Sequence, residues 1–349
     1  MHITNKVQAF RRRNWNYVSV AGKVERLINI TLIIEAAPFS FTYLCRPDMQ
    51  RKIIFLVNPI SGTAQKAGIV DLIRQRTEAQ GIPYEILPTV ASGDYSFAKE
   101  KIREEQYTDV VVCGGDGTVN QVVQFLATTK VRIGIIPLGS GNGLAYAAGI
   151  PKNAAKALDI VFNGKSQGTD AFMVNDRFAC MLCGLGLDAA VAHEFAEQPK
   201  RGLRTYASLT IRRFFTFRAH AFTINANNME FGVEAFFISV ANSNQFGNHF
   251  TIAPQAKLGD GLLDIVIVKK IAKPMLLFTV MKQVLTGKTR SIENSLHAPV
   301  IYFQAKAITI TNSDNAPMHI DGEPCESMAQ LHIKVLPDYF KLIQPAPKA

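Results

Sequence analysis

The residue types best suited to chemistry lie in segment 114–118, whose sequence is Gly-Gly-Asp-Gly-Thr. The segment follows the apolar run 109–113 and precedes a stretch with helical spacing. Glycines let backbone N–H groups approach an anion closely, and the N-terminus of a following helix adds its dipole. A carboxylate among such groups can accept a proton from an attacking hydroxyl or hold Mg²⁺ through water. The pattern predicts a phosphate-handling loop with Asp116 as its chemical group; the alternative is a helix-capping turn.

Two further loops have the same character. Segment 58–63 (Asn-Pro-Ile-Ser-Gly-Thr) follows one apolar run, and segment 137–143 (Pro-Leu-Gly-Ser-Gly-Asn-Gly) follows another. Taken alone, each is equally typical of an ordinary turn. Three such loops after successive strands predict a nucleotide crevice. Lys66 is a candidate phosphate partner, and a solvated helix lysine is the alternative.

These loops need a scaffold that brings them to one edge, and the sequence around them predicts one. Apolar runs and helical stretches alternate between residues 53 and 173, which is typical of βαβ units around a buried parallel sheet. Ligands bind such sheets at the carboxyl ends of the strands. The runs predicted as strands are 53–57, 84–88, 109–113 and 131–137, and the predicted helices are 65–79, 95–105 and 118–128.

The second half of the chain has a different texture. Short strand patterns with turn signals dominate, interrupted by a helix-like stretch at 274–286. The predicted fold is therefore an α/β nucleotide-binding domain, with a three-layer parallel sheet, followed by a mainly antiparallel β-sandwich. The predicted divisions are an extension at 1–48, the α/β domain at 49–174 and the sandwich at 175–345. The predicted strands of the sandwich are 219–225, 233–241, 262–268, 299–304, 307–311 and 331–336.

The formal charge of +10 is local. Residues 198–228 carry six basic side chains and no acidic one, and residues 1–48 carry a smaller excess. This distribution favours an anionic surface or substrate met at one place, and it argues against a chain coated with charge for nucleic acid. At helical spacing five basic side chains share one arc and five apolar ones lie on the other side. The basic set is Lys200, Arg201, Arg204, Arg212 and Arg218, and the apolar set is Leu203, Tyr206, Leu209, Phe214 and Phe217. Such a helix rests on an anionic bilayer or packs its aromatic side on the protein; both readings stay open.

Residues 1–48 have two interpretations. They are an extension outside the native protein, with Met49 as the true start, or a membrane-surface anchor, because Arg11, Arg12 and Arg13 lie beside Trp15. The sequence contains no run of about 18 apolar residues, so it predicts no membrane-spanning helix. Five cysteines form no disulfide framework, so a reducing cytoplasm is the expected compartment.

Two motifs point elsewhere and are set aside. Segment 184–189 matches a dinucleotide fingerprint, but the ribose-binding acid expected about 20 residues later is missing. The Cys-x-x-Cys at 180–183 lies in an apolar stretch and is interpreted as a buried strand.

The chain resembles the diacylglycerol kinase and sphingosine kinase superfamily, most closely its bacterial lipid kinase branch, over about residues 51–345. The resemblance rests on the three loops above, on Gly149-Ile150-Pro151, and on two later motifs, Lys-Leu-Gly-Asp-Gly-Leu-Leu-Asp at 257–264 and Asp-Gly-Glu at 321–323. One feature resembles the sphingosine kinase side: Asn142 is followed by Gly143, where bacterial diacylglycerol kinases usually carry Asn-Asp.

The resemblance implies roles for residues at matching positions. Asp116 and Glu323 are its candidate catalytic groups, either one as general base, together with Asp321. Asp188 is implied to face the lipid head group, and Lys200 is a candidate lipid contact because it is the basic side chain of 198–228 expected nearest the cleft. A structural Mg²⁺ site is implied at Asp260 with backbone groups of Lys257 and Leu262. The implied nucleotide-binding residues are Asn58, Ser61, Gly62, Thr63, Gly114, Gly115, Gly117, Thr118, Gly139, Ser140 and Asn142.

The implied activity is transfer of the γ-phosphate of Mg-ATP to a hydroxyl of a membrane lipid, diacylglycerol-like or long-chain-base-like. The protein is expected to be cytoplasmic and to bind an anionic membrane surface transiently. It is expected to bind no nucleic acid, and formation of a homodimer stays open. An NAD kinase-like activity and a catalytically inactive lipid- or nucleotide-binding regulator are the alternatives. Intact acids at 116, 321 and 323 argue against the regulator.

Overall fold

The first half of the chain alternates strands and helices. A computed structural model describes residues 50–58, 66–198, 203–245, 252–270 and 298–346, and the extension at 1–48 lies outside them. Within this part of the chain, no helix is long and apolar enough to cross a bilayer. The elements are β1 (Ile53–Val57), α1 (Lys66–Ala79), β2 (Tyr84–Pro88), α2 (Ser96–Glu105), β3 (Asp109–Gly114), α3 (Asp116–Leu126), β4 (Arg132–Pro137), α4 (Gly143–Ala147) and α5 (Ala154–Asn163).

The four strands form a parallel sheet in the order β2-β1-β3-β4. Every residue of β3 is buried, which explains why this strand is one continuous apolar run in the sequence. Buried side chains of α1, α2, α3 and α5 pack in the same core. Asn58, Gly115 and Leu138, which follow β1, β3 and β4, therefore lie at one edge of the sheet, as the sequence predicts.

The second half is mainly antiparallel, so the predicted fold class is confirmed. The predicted helix at 274–286 lies outside the described residues. The elements are β5 (Lys165–Val174), β6 (Arg177–Ala179), β7 (Leu182–Gly186), α6 (Leu187–Ala196), α7 (Leu203–Thr216), β8 (His220–Ala226), β9 (Met229–Ala241), β10 (Leu263–Lys269), β11 (Val300–Ala305), β12 (Ala307–Asn312), β13 (Met318–Ile320), β14 (Glu323–Cys325) and β15 (Gln330–Gln344).

Two long strands join the halves. The first part of β15 pairs with β12, whereas Lys341 and Leu342 near its end pair in parallel with Arg132 and Ile133 of β4. β5 runs antiparallel to β15 along almost its whole length. The hydrogen-bonded sheet is thus continuous from the antiparallel half into the parallel half. The predicted division at residue 174 stays a prediction, and it coincides with the end of β5.

The apolar core is continuous in the same way. Alternate residues of β10 face two different clusters: Val266 and Val268 join the cluster of the parallel sheet, whereas Leu263, Ile265 and Ile267 join the interior of the sandwich. Both faces of β10 are therefore buried. This double burial accounts for its unbroken apolar sequence and packs the two halves against each other.

The edge of the parallel sheet opposite the loops contains a buried charge cluster. Asp109 is fully buried and accepts hydrogen bonds from the guanidinium groups of Arg51 and Arg132. Arg51 also donates to the carbonyls of Val161 and Phe162 at the end of α5, at 2.5 and 2.8 Å. The cluster ties the start of β1 to β3, β4 and α5.

Candidate active site

The loops after β3 and β4 touch through their glycines. A Cβ atom placed on Gly139 would lie 2.6 Å from the Cα of Gly115, and one on Gly115 would lie 3.2 Å from the Cα of Gly139. Real Cβ atoms do not approach a backbone as closely as the first of these distances, so the glycine at 139 permits the contact. Two segments of glycine backbone therefore lie side by side at the carboxyl ends of the strands.

Asn142 fixes the shape of the second loop. It lies in the left-handed region with φ of 55°, and it is 2% exposed. Its Oδ1 accepts from the N–H of Gly139 at 2.9 Å, and its Nδ2 donates to the carbonyl of Gly139 at 2.8 Å. The side chain is thus used within the loop, and Ser140 at the tip is exposed. Asn142 therefore fixes the conformation of this loop.

Asn58 and Thr118 connect the ends of β1 and β3. The Nδ2 of Asn58 donates to the Oγ1 of Thr118 at 3.0 Å, and the N–H of Asn58 donates to the carbonyl of Cys113. Thr118 in turn packs against Gly114, where a Cβ atom would lie 3.0 Å from that of Thr118. These contacts hold the first turn of α3 at the carboxyl end of β1. Ser61, Gly62 and Thr63 of the loop after β1 lie outside the described residues.

Asp116 is the first residue of α3 and points toward the N-terminus of α4. Its Oδ1 accepts from the N–H of Leu144 at 3.4 Å, and a Cβ atom on Gly141 would lie 2.9 Å from its Oδ2. The pKa of Asp116 is raised to about 6. Burial is the largest cause and the charge of Asp321 adds to it, whereas the backbone N–H groups of Gly143 and Leu144 lower the pKa. Its negative charge is therefore only partly compensated by the protein.

Asp321 has a full set of donors. Its Oδ1 accepts from the N–H groups of Met181 and Leu182, and its Oδ2 accepts from the N–H of Cys180, all at 2.9 Å. The Nδ2 of Asn120 donates to Oδ2 at 2.7 Å. Asp321 is 7% exposed. The carboxylate thus holds the turn between β6 and β7 against α3, and it is committed to these bonds.

Glu323 differs from Asp321 although only Gly322 separates them. Asp321 and Gly322 both have positive φ, of 50° and 83°, so the chain turns sharply into β14. The Glu323 side chain is exposed, and its Oε1 lies 3.3 Å from the position of a Cβ atom on Gly117. A carboxylate from a distant part of the sequence therefore reaches the glycine loop that carries Asp116.

Asn120 is a site residue that sequence reasoning missed. It lies four residues after Asp116 on α3, so both side chains lie on one face of the helix. That spacing is the signal that could have found it. The Asn120 amide connects this helix to Asp321 and, through the Asp321 turn, to Glu323.

Asp188 neighbours His319, which lies two residues before Asp321 in the chain. It is 9% exposed, its Oδ1 accepts from the N–H of Ala189, and its Oδ2 lies 3.5 Å from Nε2 of His319. His319 precedes the Asp-Gly-Glu turn, and its Nδ1 accepts from the N–H of Gly322 at 3.3 Å. Lys200, the other predicted lipid contact, lies outside the described residues.

The predicted structural metal loop docks on β5. Asp260 is exposed, and its Oδ1 accepts from the N–H of Leu262 at 3.1 Å. The buried Asp170 accepts from the N–H groups of Gly261 and Asp338, both at 2.7 Å, and so fixes this loop to β15. No cluster of three metal-ligating side chains occurs within the described ranges. The Mg²⁺ site at Asp260, Lys257 and Leu262 stays a prediction that needs backbone carbonyls and water.

Two family models match the chain in succession. Residues 52–174 match the diacylglycerol kinase catalytic domain, and residues 182–344 match the YegS C-terminal NAD kinase beta sandwich-like domain. The chain is also similar to a diacylglycerol kinase of Staphylococcus aureus, 28% identical over 280 residues, which cover 79% of this chain and 87% of that protein. A diacylglycerol kinase of Staphylococcus carnosus is 25% identical over 279 residues, with 79% and 89% coverage.

A solved structure of a diacylglycerol kinase from Bacillus anthracis has the same fold. It superposes with a TM-score of 0.64 at 21% identity, and the match covers 85% of this chain and 97% of that one. The glycine loops after β3 and β4 lie within the residues that match the first family model, and the Asp-Gly-Glu turn lies within those that match the second. The chain belongs to the bacterial diacylglycerol kinase-like family, and its enzyme class is that of a lipid kinase.

Proposed function

We propose that the chain transfers the γ-phosphoryl group of ATP, with Mg²⁺, to a hydroxyl group of a membrane lipid. The observation that carries this proposal is the contact of Glu323 with the glycine loop at Gly117. Two carboxylates, from Asp116 and Glu323, are thereby brought to the same loop from opposite halves of the chain. Phosphoryl transfer requires little more than a held phosphate, shielded charge and an oriented hydroxyl.

The adjoining loops of Gly115 and Gly139 supply the phosphate side. The glycine backbone lets the phosphates of ATP approach the N-terminus of α3 closely, and that N-terminus presents positive potential. Asn142 and the Asn58–Thr118 bond keep these loops in place. Ser140, at the exposed tip, offers a hydroxyl to the nucleotide.

The residues of this site fit a divalent cation. The carboxylate of Asp116 is an oxygen donor whose charge is poorly compensated, as its raised pKa shows, and a cation relieves that imbalance. When bound, Mg²⁺ shields the phosphate charge. Asp116 would hold it beside the glycine loops.

Of the two carboxylates in the Asp-Gly-Glu turn, that of Glu323 is better placed to accept the proton of the lipid hydroxyl. Its carboxylate is exposed beside Gly117, whereas the carboxylate of Asp321 is occupied by four N–H donors. We therefore assign Asp321 a positioning role: it orients the turn that presents Glu323. Acceptance of the proton by Glu323 makes the hydroxyl oxygen a better nucleophile toward the γ-phosphorus.

The acceptor is assigned as a hydroxyl-bearing lipid. The relatives named above are diacylglycerol kinases, which favours diacylglycerol, and Asn142-Gly143 resembles the sphingosine kinase side, which favours a long-chain base. Asp188 lies next to the Asp-Gly-Glu turn through His319, so a lipid head group at Asp188 would lie near Glu323.

The test is incubation of the purified chain with labelled ATP, Mg²⁺ and a total lipid extract, followed by mass identification of the labelled product. Parallel reactions contain diacylglycerol, sphingosine or NAD alone. A labelled lipid that depends on ATP and disappears on chelation of Mg²⁺ is the expected result. Labelled NAD without labelled lipid would replace the proposal with the NAD kinase reading. ATP binding without transfer to any acceptor would favour the regulator.

A further inference from the structure

The Asp-Gly-Glu turn is the tip of a tight hairpin. Ile320 of β13 pairs with Glu323 of β14, so only Asp321 and Gly322 connect the two strands. Both connecting residues have positive φ, of 50° and 83°, as in the two-residue turns typical of β-hairpins. The direction of the Glu323 side chain therefore depends on the conformation of these two residues.

The imidazole of His319 contacts this turn. Its Nδ1 accepts a hydrogen bond from the N–H of Gly322 at 3.3 Å. The N–H of Asp321 donates instead to the carbonyl of Leu182 on β7. The N–H groups of the two turn residues thus have different partners, one a main-chain carbonyl and the other a side chain. Of these two bonds, the bond to His319 is the one that a substitution can remove.

A second contact fixes the orientation of that imidazole. His319 is 1% exposed, and its Nε2 lies 3.5 Å from Oδ2 of Asp188 on α6. Since Nδ1 accepts from Gly322, the ring proton is on Nε2, where it faces the negative charge of Asp188. This Oδ2 is buried and accepts no hydrogen bond from any other residue that the structure describes. The imidazole therefore faces a carboxylate oxygen that no other donor compensates.

Gly184 of β7 leaves the space for this pair. It lies opposite His319 in the ladder between β7 and β13. A Cβ atom on Gly184 would overlap both Oδ2 of Asp188 and Nε2 of His319. The strand thus lacks a side chain at a position where one would displace the carboxylate or the imidazole. Residues of α6, β7 and β13 together make the contact possible.

We propose that His319 is a positioning residue for Glu323 and acts through the N–H of Gly322. The imidazole keeps the turn in the conformation in which the Glu323 carboxylate lies beside Gly117. Asp188 holds the imidazole in the orientation that this requires. The inference deepens the proposed function and rests on it, because Glu323 is the group assigned there to accept the proton of the lipid hydroxyl.

Two substitutions separate this role from simple packing. In His319→Asn the side-chain amide lies where the imidazole has Nδ1, so its oxygen can accept from Gly322, but it cannot reach Asp188. In His319→Gln the amide lies near the position of Nε2, so it can reach Asp188 but leaves the N–H of Gly322 without an acceptor. Gln fills more of the buried space than Asn does, so a packing role predicts the greater damage for Asn. The positioning role predicts the greater damage for Gln.

The first measurement is the initial rate of phosphate transfer from labelled ATP, with Mg²⁺, to mixed micelles that contain diacylglycerol and sphingosine. His319→Gln should lower kcat by about tenfold or more with an unchanged KM for ATP, since the glycine loops after β3 and β4 are not altered. His319→Asn should keep kcat within about threefold of the wild type. In a Glu323→Gln background, His319→Gln should lower kcat by less than about twofold more, because His319 acts through Glu323. His332→Gln, the same substitution at an exposed site on β15, is the control and should change neither constant.

The second measurement needs no activity. Amide hydrogen exchange at Gly322, followed by NMR on the full chain, should be about tenfold faster in His319→Gln than in the wild type and nearly unchanged in His319→Asn. Unchanged exchange in His319→Gln would overturn the inference, and so would a lower kcat for His319→Asn than for His319→Gln. If the wild type phosphorylates no lipid, the proposed function fails by itself, and the exchange at Gly322 still decides whether His319 holds the turn.

Discussion

At the scale of single residues, the ionisation of Asp116 couples activity to stability. The folded state raises its pKa from 3.8 to about 6 through burial, so the folded state binds a proton more tightly than the unfolded chain does. Stability without metal must therefore fall as the pH rises from about 4 to 6. The proposed reaction uses the charged form of Asp116, and this form destabilises the folded state.

Asp116→Asn should abolish phosphoryl transfer and stabilise the protein. Above pH 6, in the presence of a chelator, we expect the free energy of unfolding to rise by about 1–3 kcal/mol, because the buried charge is removed. Urea unfolding at pH 4 and pH 7 measures this, and the gain should vanish at pH 4. Asp71→Asn, on the exposed side of α1, is the control and should change neither property. An Asn variant that is less stable than wild type at pH 7 would contradict the explanation.

The two acids of the Asp-Gly-Glu turn should respond differently to loss of charge. Asp321→Asn replaces an acceptor of four N–H groups with an amide that presents donors to donors, so we expect a loss of about 2–4 kcal/mol in stability as well as activity. Glu323→Gln should lower kcat at least 100-fold with an unchanged Tm. Glu326→Gln, exposed in the same segment, is the matched control. Equal Tm losses at 321 and 323 would refute the division of roles.

At the scale of elements, the site depends on how closely the loops after β3 and β4 approach. Gly139→Ala places a Cβ atom 2.6 Å from the Cα of Gly115, so the loops must separate. We expect the KM for ATP to rise at least tenfold. Gly68→Ala on α1 is the same substitution in open space and should leave KM unchanged, with stability higher by up to about 1 kcal/mol. Initial rates over a range of ATP concentrations measure both; an unchanged KM for Gly139→Ala would show that the contact is not needed.

The elements that the sequence predicts well are the short strands of the first half, each bounded by turn residues. β1 and β2 have the predicted bounds and β3 and β4 differ by one residue, since an apolar run between turn residues is a clear pattern. β5 was missed because its first residues are exposed and polar, and β13 and β14 have only three residues each. β15 continues past Pro337 and Asp338, where a register shift interrupts the alternation and the predicted strand ended.

The site was predictable to a similar degree. The glycine loops and acids are visible because three glycines around one carboxylate, directly after an apolar run, form a distinctive pattern. The partners of Asp321 are not visible, since three of them are backbone N–H groups, which every residue but proline has. Asp170 escaped notice for the same reason: it accepts from two backbone groups across the fold.

At the scale of the molecule, the described residues from Arg51 onward should unfold as one unit. β5 and β15 span both halves, and one apolar cluster extends from the parallel sheet into the sandwich. Amide hydrogen exchange of β3 and β10 should therefore report the same opening free energy, within about 1 kcal/mol. Mass-resolved exchange over a urea series measures this. Separate transitions for the two strands would show that the halves are independent domains.

The course of β15 also bears on how substrates enter and leave. β5 and β15 cross together from one half to the other and stay hydrogen-bonded to each other, so the halves can move apart only if both strands bend. Turnover should then proceed without a large separation of the two halves. In the proposed reaction, nucleotide and lipid should therefore bind to a site whose geometry changes little between the first substrate and the second.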